Sequence, residues 1–247
     1  AAAIQPLAEW YRGQGMRVRL VDVQDIFNEF NHGIFDPQAI HDFLAYAYEN
    51  WQPPAPLYVL LVGDGNYDPR NYKGFGEPNF IPPYLAQYDY FLGESAADNR
   101  YVTVQGDDLL PDMLIGRLPV KTATEAANVV AKILAYSQNP SPGDWNRQIL
   151  FVADNADSGG NFPYYSDLLV NDYLPTGYSA ERVYYQVTHT SISEAQNAVR
   201  QSINQGKLIV NFVGHGGVQQ WASENLLNNA AVASLSNSGK LPLFANL

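Results

Sequence analysis

Short apolar runs rich in β-branched residues alternate along this 247-residue chain with stretches of helical period. Such alternation indicates an α/β fold with a mostly parallel sheet, because parallel strands need long crossover connections, which are usually helical. The pattern predicts strands at residues 18–23, 58–62, 148–153, 182–187, 207–213 and 241–247. It predicts helices at residues 3–12, 37–50, 163–173 and 224–233, and behind the capping boxes Thr122-x-x-Glu125 (to about residue 137) and Ser191-x-x-Glu194.

Two irregular segments interrupt this pattern. Residues 63–119 are rich in Gly, Pro and Tyr, and a passage of that length in a compact domain is usually functional or contains short strands. Residues 139–144, Asn-Pro-Ser-Pro-Gly-Asp, have the composition of a linker, and the α/β pattern restarts after them. We therefore predict two α/β subdomains, residues 1–143 and 144–247.

Composition excludes several classes of function. The formal net charge of -11 argues against nucleic acid and anionic membrane surfaces as partners, since both attract basic proteins. The absence of cysteine excludes disulfides and thiolate metal sites within the chain. No run approaches the roughly 18 apolar residues that a transmembrane helix needs, so no membrane span is predicted.

The strongest candidate for chemistry is His215. It follows the apolar run at residues 208–213 and lies between Gly214 and Gly216. Glycines leave room for a substrate backbone, and a bare N–H at this point can face a developing oxyanion. We therefore treat His215 as a candidate catalytic base. The other histidines are predicted to be structural or solvated: His32, His41 and His189.

Acidic side chains also follow the apolar strands. Asp64, within Gly63-Asp64-Gly65, either faces a ligand at the end of a parallel strand or closes a tight turn by bonding local backbone. The residues of the loop at 154–157 either orient a histidine or form an Asx-turn with a helix cap. A further group lies in the irregular passage, where it either binds calcium or consists of solvated turn carboxylates: Asp98, Asp107, Asp108 and Asp112.

Several segments, in order along nearly the whole chain, resemble the gingipain-type cysteine peptidases, peptidase family C25. They are Val62-Gly63-Asp64-Gly65, the run Asp112-Met113-Leu114-Ile115-Gly116-Arg117-Leu118-Pro119, Phe151-Val152-Ala153-Asp154-Asn155, Val213-Gly214-His215-Gly216 and Leu241-Pro242-Leu243. The resemblance implies a caspase-like, three-layer α/β sandwich of two subdomains with mostly parallel sheets. It also implies a secreted or cell-surface bacterial protein, bound structural calcium, no cofactor for the chemistry, and peptide or protein substrates.

The same resemblance assigns site residues. His215 matches the catalytic histidine, and Gly216 matches the residue whose N–H helps to form the oxyanion hole. The acid that orients the histidine is Asp154 or Asp157, with Asp157 nearer the expected place. Asp167 is the nearest candidate for the carboxylate that meets a basic P1 side chain, where P1 is the substrate residue before the cleaved bond.

The family's cysteine is expected one to three positions past Leu247, in a longer multidomain protein. We therefore expect a cysteine-type endopeptidase in the intact protein and no activity in the 247 residues alone. The alternative is a non-catalytic caspase-like surface or secretion-associated module that binds peptides or partners. A weaker alternative is a nucleotide-binding protein that uses Gly63-Asp64-Gly65, although the G-x-G-x-x-G spacing is absent.

Overall fold

The computed structural model describes residues 2–74, 76–89 and 93–247. The chain divides into two compact units, Ala1–Leu134 and Ala135–Leu247, each with hydrophobic clusters of its own. The boundary between the units falls within a helix, nine residues before residue 143. The subdomain division at residue 143 stays a prediction.

The first unit contains a small parallel strand pair and several helices. Its helices are α1 (Gln5–Gly13), α2 (Val23–Asn31), α3 (Pro37–Asn50) and the start of α4 (Ala123–Gln138). Its strands are β1 (Tyr58–Val62), β2 (Leu85–Asp89), β3 (Gly93–Ala96) and β4 (Leu114–Leu118), with short 3-10 turns at Ala2–Ile4 and Asp98–Val102. Strands β1 and β4 pair in parallel, and β2 and β3 pair antiparallel.

The prediction of a strand at residues 18–23 is wrong. Residues 18–22 form no strand and α2 begins at Val23, where the Asp22 side chain accepts a hydrogen bond from Gln24 N–H (2.9 Å). Leu20 and Val21 stay 39% and 45% exposed. Because strand propensity expresses packing on a sheet, the alternating apolar residues of this segment form no strand where no partner strand lies beside them.

The signals for helix starts are confirmed. Asp36 accepts a hydrogen bond from Gln38 N–H (2.9 Å) at the start of α3. Thr122 accepts one from Glu125 N–H (3.1 Å) at the start of α4, although Glu125 reaches back to Lys121 N–H rather than to the cap itself. These caps satisfy amide donors that have no partner within the helix.

The second unit is built on one four-stranded parallel sheet. Its strands lie in the order β6 (Ser179–Tyr184), β5 (Gln148–Ala153), β7 (Ile209–Val213) and β10 (Leu243–Asn246). The helices are α5 (Phe162–Leu168), continued by a π-helical turn at Leu169–Tyr173, α6 (Ile192–Gln205) and α7 (Asn229–Ala233). A 3-10 turn at Asp144–Arg147 precedes β5, and the short strands β8 (Gln220–Trp221) and β9 (Leu227–Asn228) form a hairpin.

The side chains of strand β5 pack against helices on both faces of the sheet. Leu150 and Val152 pack in one cluster with the buried side of α6, while Ile149 and Phe151 pack in another with residues of α5 and the π-helical turn. A strand buried on both faces has a continuous apolar sequence rather than an alternating one. The unit is therefore a three-layer arrangement of helix, sheet and helix, and the predicted α/β class is confirmed.

Two elements of this unit differ from prediction. Strand β6 ends at Tyr184 rather than at residue 187, because Thr188 Oγ1 accepts a hydrogen bond from Tyr184 N–H (2.8 Å) and closes a turn. The helix predicted at residues 224–233 covers only Asn229–Ala233. The segment before it folds as the β8–β9 hairpin instead, with the Trp221 ring stacked on Phe212 at 4.6 Å.

Candidate active site

The order of the strands predicts a crevice at the carboxyl ends of β5 and β7. From β5 the chain crosses to β6 on one side, and it then returns to β7 on the other side. Where the direction of crossing reverses in this way, the loops diverge and leave an opening in which α/β proteins bind ligands. The loop after β5, residues 154–161, is called here the aspartate loop, and the loop after β7, residues 214–219, is called the histidine loop.

The two loops meet through His215 and Asp157. His215 Nε2 lies 3.0 Å from Asp157 Oδ2, and the two side chains are 55% and 39% exposed. An ionised carboxylate only accepts hydrogen bonds, so Nε2 carries the proton in this contact and Nδ1 carries the free lone pair. The arrangement leaves Nδ1 as the nitrogen that can take a proton from a nucleophile.

The aspartate loop holds the Asp157 carboxylate in place. Gly159 N–H donates to Asp157 Oδ1 (2.7 Å), and the backbones of Asp157 and Gly160 exchange two hydrogen bonds (3.0 and 3.3 Å). The Gly159 N–H is the largest of the influences that lower the Asp157 pKa, and the charge of a protonated His215 acts in the same direction. Asp157 is therefore ionised at neutral pH.

Gly159 and Phe162 complete the surroundings of the imidazole, and sequence reasoning missed both of them. A Cβ on Gly159 would lie 2.9 Å from Nε2 and from Cε1 of His215. The Phe162 ring meets the imidazole edge to face, with centroids 5.1 Å apart. The only signal for these residues in the sequence is their position in the same loop segment as the candidate acids.

Asp154 has a different environment from Asp157. It is 3% exposed, and its Oδ1 accepts a hydrogen bond from Asn155 N–H (2.8 Å). Burial raises its pKa, and the charge of Glu224 adds to this effect, while the N–H groups of Asn155 and His215 oppose it. Asp154 thus contacts the backbone of the histidine loop, whereas Asp157 contacts the imidazole.

Gly216 directs its amide away from Trp221. It pairs with Trp221 across an antiparallel bridge that is held by Ala222 N–H to His215 O (2.7 Å) and Gly217 N–H to Gln220 O (2.9 Å). Both bonds belong to neighbouring residues, so this is the non-hydrogen-bonded type of pair, in which the residue's own N–H points away from the partner strand. A Cβ on Gly216 would meet no atom within 4 Å. The Gly216 N–H is therefore directed away from Trp221, and its role as an oxyanion donor stays a prediction.

Asp167 lies apart from the two loops, in α5. Its Oδ1 accepts hydrogen bonds from Arg182 Nε (2.8 Å) and from the Tyr184 hydroxyl (3.1 Å), both in β6. The structure does not bring it together with His215 through any hydrogen bond or ion pair of the described residues. Its carboxylate already has a cationic partner.

The Gly63-Asp64-Gly65 segment forms a packed turn in the first unit. A Cβ on Gly65 would lie 2.1 Å from Ile81 O, and Asp64 Oδ1 accepts from Gly65 N–H (3.0 Å). The glycines therefore allow the chain at residues 80–81 to pack against this turn. This geometry agrees with the tight-turn interpretation of Asp64.

The acidic side chains of the irregular passage have separate partners. Asp98 binds Arg117 (2.7 and 2.9 Å), Asp112 accepts from the N–H groups of Val104 and Gln105, and Asp108 accepts from Leu110 N–H. Within residues 2–74, 76–89 and 93–247, no three His, Cys, Asp or Glu side chains form a group that could hold a metal ion. Structural calcium stays a prediction, to which we assign no residues.

The other histidines have local partners. His41 Nε2 lies 3.2 Å from Thr103 O, His189 Nδ1 lies 2.9 Å from Thr188 Oγ1, and His32 ends α2 in the left-handed conformation. None of the three takes part in the crevice contacts of the second unit described above. Their contacts agree with structural or solvated roles.

Strand β10 runs beside the histidine loop. It pairs in parallel with β7, from Leu243 opposite Ile209 to Asn246 opposite Phe212, and Leu247 O accepts a hydrogen bond from Gly214 N–H (3.3 Å). The carboxyl end of β10 therefore points to the same edge of the sheet as His215.

Comparisons with known proteins agree with this fold. The RgpB pro- and mature-domain complex of Porphyromonas gingivalis matches 98% of this chain and 51% of its own, with 21% identity and a TM-score of 0.73. The Arg-specific cysteine proteinase gingipain R (RgpB) matches 97% and 52%, with 21% identity and a TM-score of 0.64. A further protease structure covers 99% of this chain at 18% identity, with a TM-score of 0.68. These likenesses show the fold.

The chain spans about half the length of the solved structures that it matches. None of the curated proteins matches it. In the part of the chain that the structure describes, no helix combines the length and the apolar character needed to cross a membrane. The family model of peptidase family C25 matches residues 1–247, so the chain belongs to peptidase family C25.

Proposed function

We propose that the intact protein is a cysteine-type endopeptidase and that this chain supplies its base, its orienting acid and one oxyanion donor. The observation that carries the proposal is the 3.0 Å contact between His215 Nε2 and Asp157 Oδ2 at the crevice. A histidine fixed through one ring nitrogen, with the other nitrogen free, is the arrangement that nucleophilic catalysis requires.

The nucleophile is proposed to follow β10 in the intact protein, since none of the 247 residues is cysteine. The register from Leu243–Ile209 to Asn246–Phe212 pairs each residue of β10 with the residue 34 positions earlier. If β10 continues in this register, the first three residues after Leu247 lie beside residues 214–216. A thiol at one of those positions is adjacent to the His215 imidazole.

The proposed mechanism follows from this arrangement. His215 Nδ1 takes the thiol proton, and the thiolate attacks the carbonyl carbon of the peptide to form a tetrahedral oxyanion that Gly216 N–H stabilises. Nδ1–H then protonates the leaving amine as the C–N bond breaks, which gives an acyl-enzyme. Water then attacks the thioester carbonyl while His215 Nδ1 takes one of its protons, the C–S bond breaks to release the acid product, and His215 returns that proton to the thiolate. Asp157 stabilises the imidazolium and keeps the proton of neutral histidine on Nε2.

We also propose peptide or protein substrates and a secreted or cell-surface bacterial location, both of which the family resemblance supports. If Asp167 meets a basic P1 side chain, that cation has to share the carboxylate with Arg182, which already donates to Oδ1 at 2.8 Å. Replacing Asp167 by Asn should therefore raise KM for basic substrates by a larger factor than it lowers kcat. If KM is unchanged in Asp167→Asn, Asp167 does not bind the P1 side chain.

The principal experiment extends the chain by about twenty residues of the parent sequence, enough for a strand end and the next loop. The extended protein should hydrolyse peptide substrates, and His215→Ala should lower kcat roughly 10²–10⁴-fold, as loss of a general base does. His189→Ala is the matched control, because its ring contacts only a neighbouring threonine in the described hydrogen bonds.

Two outcomes would overturn the proposal. One is an extension that contains no cysteine, and the other is an active extension in which His215→Ala retains full activity. The first outcome makes the non-catalytic binding module the better interpretation, whereas the second means that another residue acts as the base. The nucleotide-binding alternative is tested separately by calorimetric titration with ATP, for which we expect no heat of binding.

A further inference from the structure

The His215 imidazole lies in a slot of the second unit. Asp157 bonds its Nε2, the backbone of Gly159 lies against its Nε2–Cε1 edge, and the Phe162 ring lies beside it. All three belong to the segment that connects β5 to α5. One short stretch of chain therefore determines how the imidazole is oriented.

Gly159 contributes to this slot in two ways. Its N–H donates to Asp157 Oδ1 (2.7 Å) and fixes the carboxylate that binds the histidine. Its missing side chain leaves the space that the imidazole occupies, since a Cβ would lie 2.9 Å from two ring atoms and 3.1 Å from Asp157 Oδ1. Real Cβ atoms essentially never come so close, so any side chain at this position displaces the ring.

The conformation of Gly159 does not explain why the residue is glycine. Its φ is not among the positive values of the chain, in contrast to Gly160 (φ 155). An alanine can therefore adopt the backbone of Gly159 without strain. The conflict is with the tip of a side chain, which can rotate away, so the substitution affects the imidazole much more than the fold.

The Asp157 contact alone is a weak constraint on the imidazole. Both side chains are more than one third exposed, and ion pairs in that setting are screened by water and are opposed by side-chain entropy. Steric limits on the ring are not screened. The slot therefore restricts the rotamers of His215 where the hydrogen bond by itself cannot.

We propose that Gly159 is a positioning residue for His215 and that the Phe162 ring supports it through its edge-to-face contact with the imidazole. The catalytic consequence rests on the proposed function, whereas the geometric consequence does not. Substituting Gly159 should turn the imidazole away from Asp157, so that the proton is no longer confined to Nε2 and Nδ1 no longer has a fixed direction.

The geometric test uses the 247-residue chain itself. In ¹⁵N NMR spectra at a pH where His215 is neutral, the protein should show the Nε2–H tautomer, and Gly159→Ala should give a mixture of tautomers with fast exchange of the ring proton. Gly217→Ala is the matched control, because its Cβ would lie at an ordinary 3.7 Å from Gln220 O. An unchanged tautomer in Gly159→Ala overturns the proposal.

A second variant covers the case in which Gly159→Ala does not fold. Phe162→Ala removes the ring beside the imidazole without adding an atom near Asp157, and it should also give mixed tautomers. Thermal unfolding identifies which variants are folded. If a folded Phe162→Ala keeps a single Nε2–H tautomer, the slot does not orient the ring.

The catalytic test uses the extended protein. Gly159→Ala should lower kcat about 10²-fold with little change in KM, because a displacement of about 1 Å in a catalytic group costs that much. If the tautomer changes in the 247-residue chain and the extended protein has no peptidase activity, the proposed function fails and the positioning role stands. If the extended Gly159→Ala protein keeps its kcat, the positioning role fails and the proposed function stands.

Discussion

Two aspartates of one loop, three positions apart, have opposite electrostatic environments. Asp157 is exposed and accepts hydrogen bonds from Gly159 N–H and His215, which lower its pKa. Asp154 is buried, and burial is the main reason that its pKa is raised. A divergence of this kind between neighbouring carboxyls is a common feature of catalytic sites, because it gives two acids of the same type different roles.

We therefore predict that the two carboxyls titrate on opposite sides of the ordinary Asp value of about 3.9. Carboxyl ¹³C NMR across the acid range should show Asp157 below that value and Asp154 above it. His215→Ala should return the pKa of Asp157 only part of the way to the ordinary value, because the Gly159 N–H lowers this pKa more than His215 does. A full return in His215→Ala would contradict this ranking.

The same shifts fix the sign of the dependence of stability on pH. Ionised Asp157 stabilises the folded state above its unfolded pKa, and this contribution is lost as pH falls through the lower, folded pKa. Asp154 acts in the opposite direction, since its contribution is present in acid and is lost as pH rises through its unfolded value towards its raised, folded pKa. Asp157→Asn should therefore remove part of the acid sensitivity of the free energy of unfolding, as measured in urea at several pH values.

Gly214 shows a stricter requirement for glycine than Gly216. A Cβ on Gly214 would lie 2.5 Å from Asp154 Cβ and 2.9 Å from Phe212 Cζ, with φ at +156. Gly214→Ala should lower the free energy of unfolding by roughly 1–3 kcal/mol, the usual cost of overpacking. Gly216→Ala, with open space around its Cβ, should change it by less than about 0.5 kcal/mol. Urea unfolding measures both variants. An equal loss of free energy of unfolding in the two would show that the neighbours of residue 214 move to make room for the new Cβ.

At the scale of elements, Arg117 in β4 connects a strand to two loops of the first unit. Its guanidinium donates to the carbonyls of Gly63, Ile81 and Pro82 and to both oxygens of Asp98. The Arg117 side chain is 15% exposed, so these groups are partly withdrawn from water. The planar guanidinium can serve several acceptors at once, which a lysine ammonium cannot.

We expect Arg117→Lys to lower the free energy of unfolding by about 2–4 kcal/mol, because it leaves several partly buried acceptors without a donor. Arg19→Lys, at an exposed position, is the control and should have little effect. Denaturant unfolding of both variants checks the prediction. A loss in Arg117→Lys no larger than in the control would mean that water replaces the guanidinium.

The elements also show what the sequence could predict. Strand β1 has the predicted bounds of residues 58–62, β5 those of 148–153, and α3 those of 37–50, because a buried apolar run or a capping residue is a local property. The prediction of a strand at residues 18–23 was wrong, and the β8–β9 hairpin was not predicted. Both structures depend on neighbours that are distant in the sequence. The β8–β9 hairpin, for example, depends on the stacking of Trp221 on Phe212.

The same division applies to the candidate site. His215 and the aspartate loop could be identified from residue type and position after a strand, and the resemblance to peptidase family C25 favoured Asp157. The choice of Asp157 for the contact with the imidazole depends on the turn that Gly159 and Gly160 close, which sequence patterns do not specify. Gly159 itself could not be predicted, because its role is defined by atoms of a residue 56 positions further along the chain.

At the scale of the whole molecule, the two compact units have separate buried clusters. Met113 (2% exposed) belongs to a cluster of the first unit, and Ile203 (fully buried) belongs to one of the second. Proteins with two such units often depart from two-state unfolding, because each unit can open with its own free energy.

We predict that core substitutions affect the two units separately. Met113→Ala should reduce hydrogen-exchange protection mainly in residues 1–134, and Ile203→Ala mainly in residues 135–247, each by about 2–5 kcal/mol of opening free energy. Hydrogen-exchange mass spectrometry of both variants measures this directly. A uniform loss of protection along the whole chain in either variant would show that the units unfold as one.

The contact between His215 and Asp157 joins residues 58 positions apart in the sequence, on loops that follow two paired strands. It can form only when β5 and β7 are paired in the correct register, because a shift of one residue would turn the following side chains to the other face of the sheet. The imidazole signal of His215 is therefore an internal reporter of folding. It allows the assembly of the sheet to be followed at a single residue, without an added label and independently of any enzymatic assay.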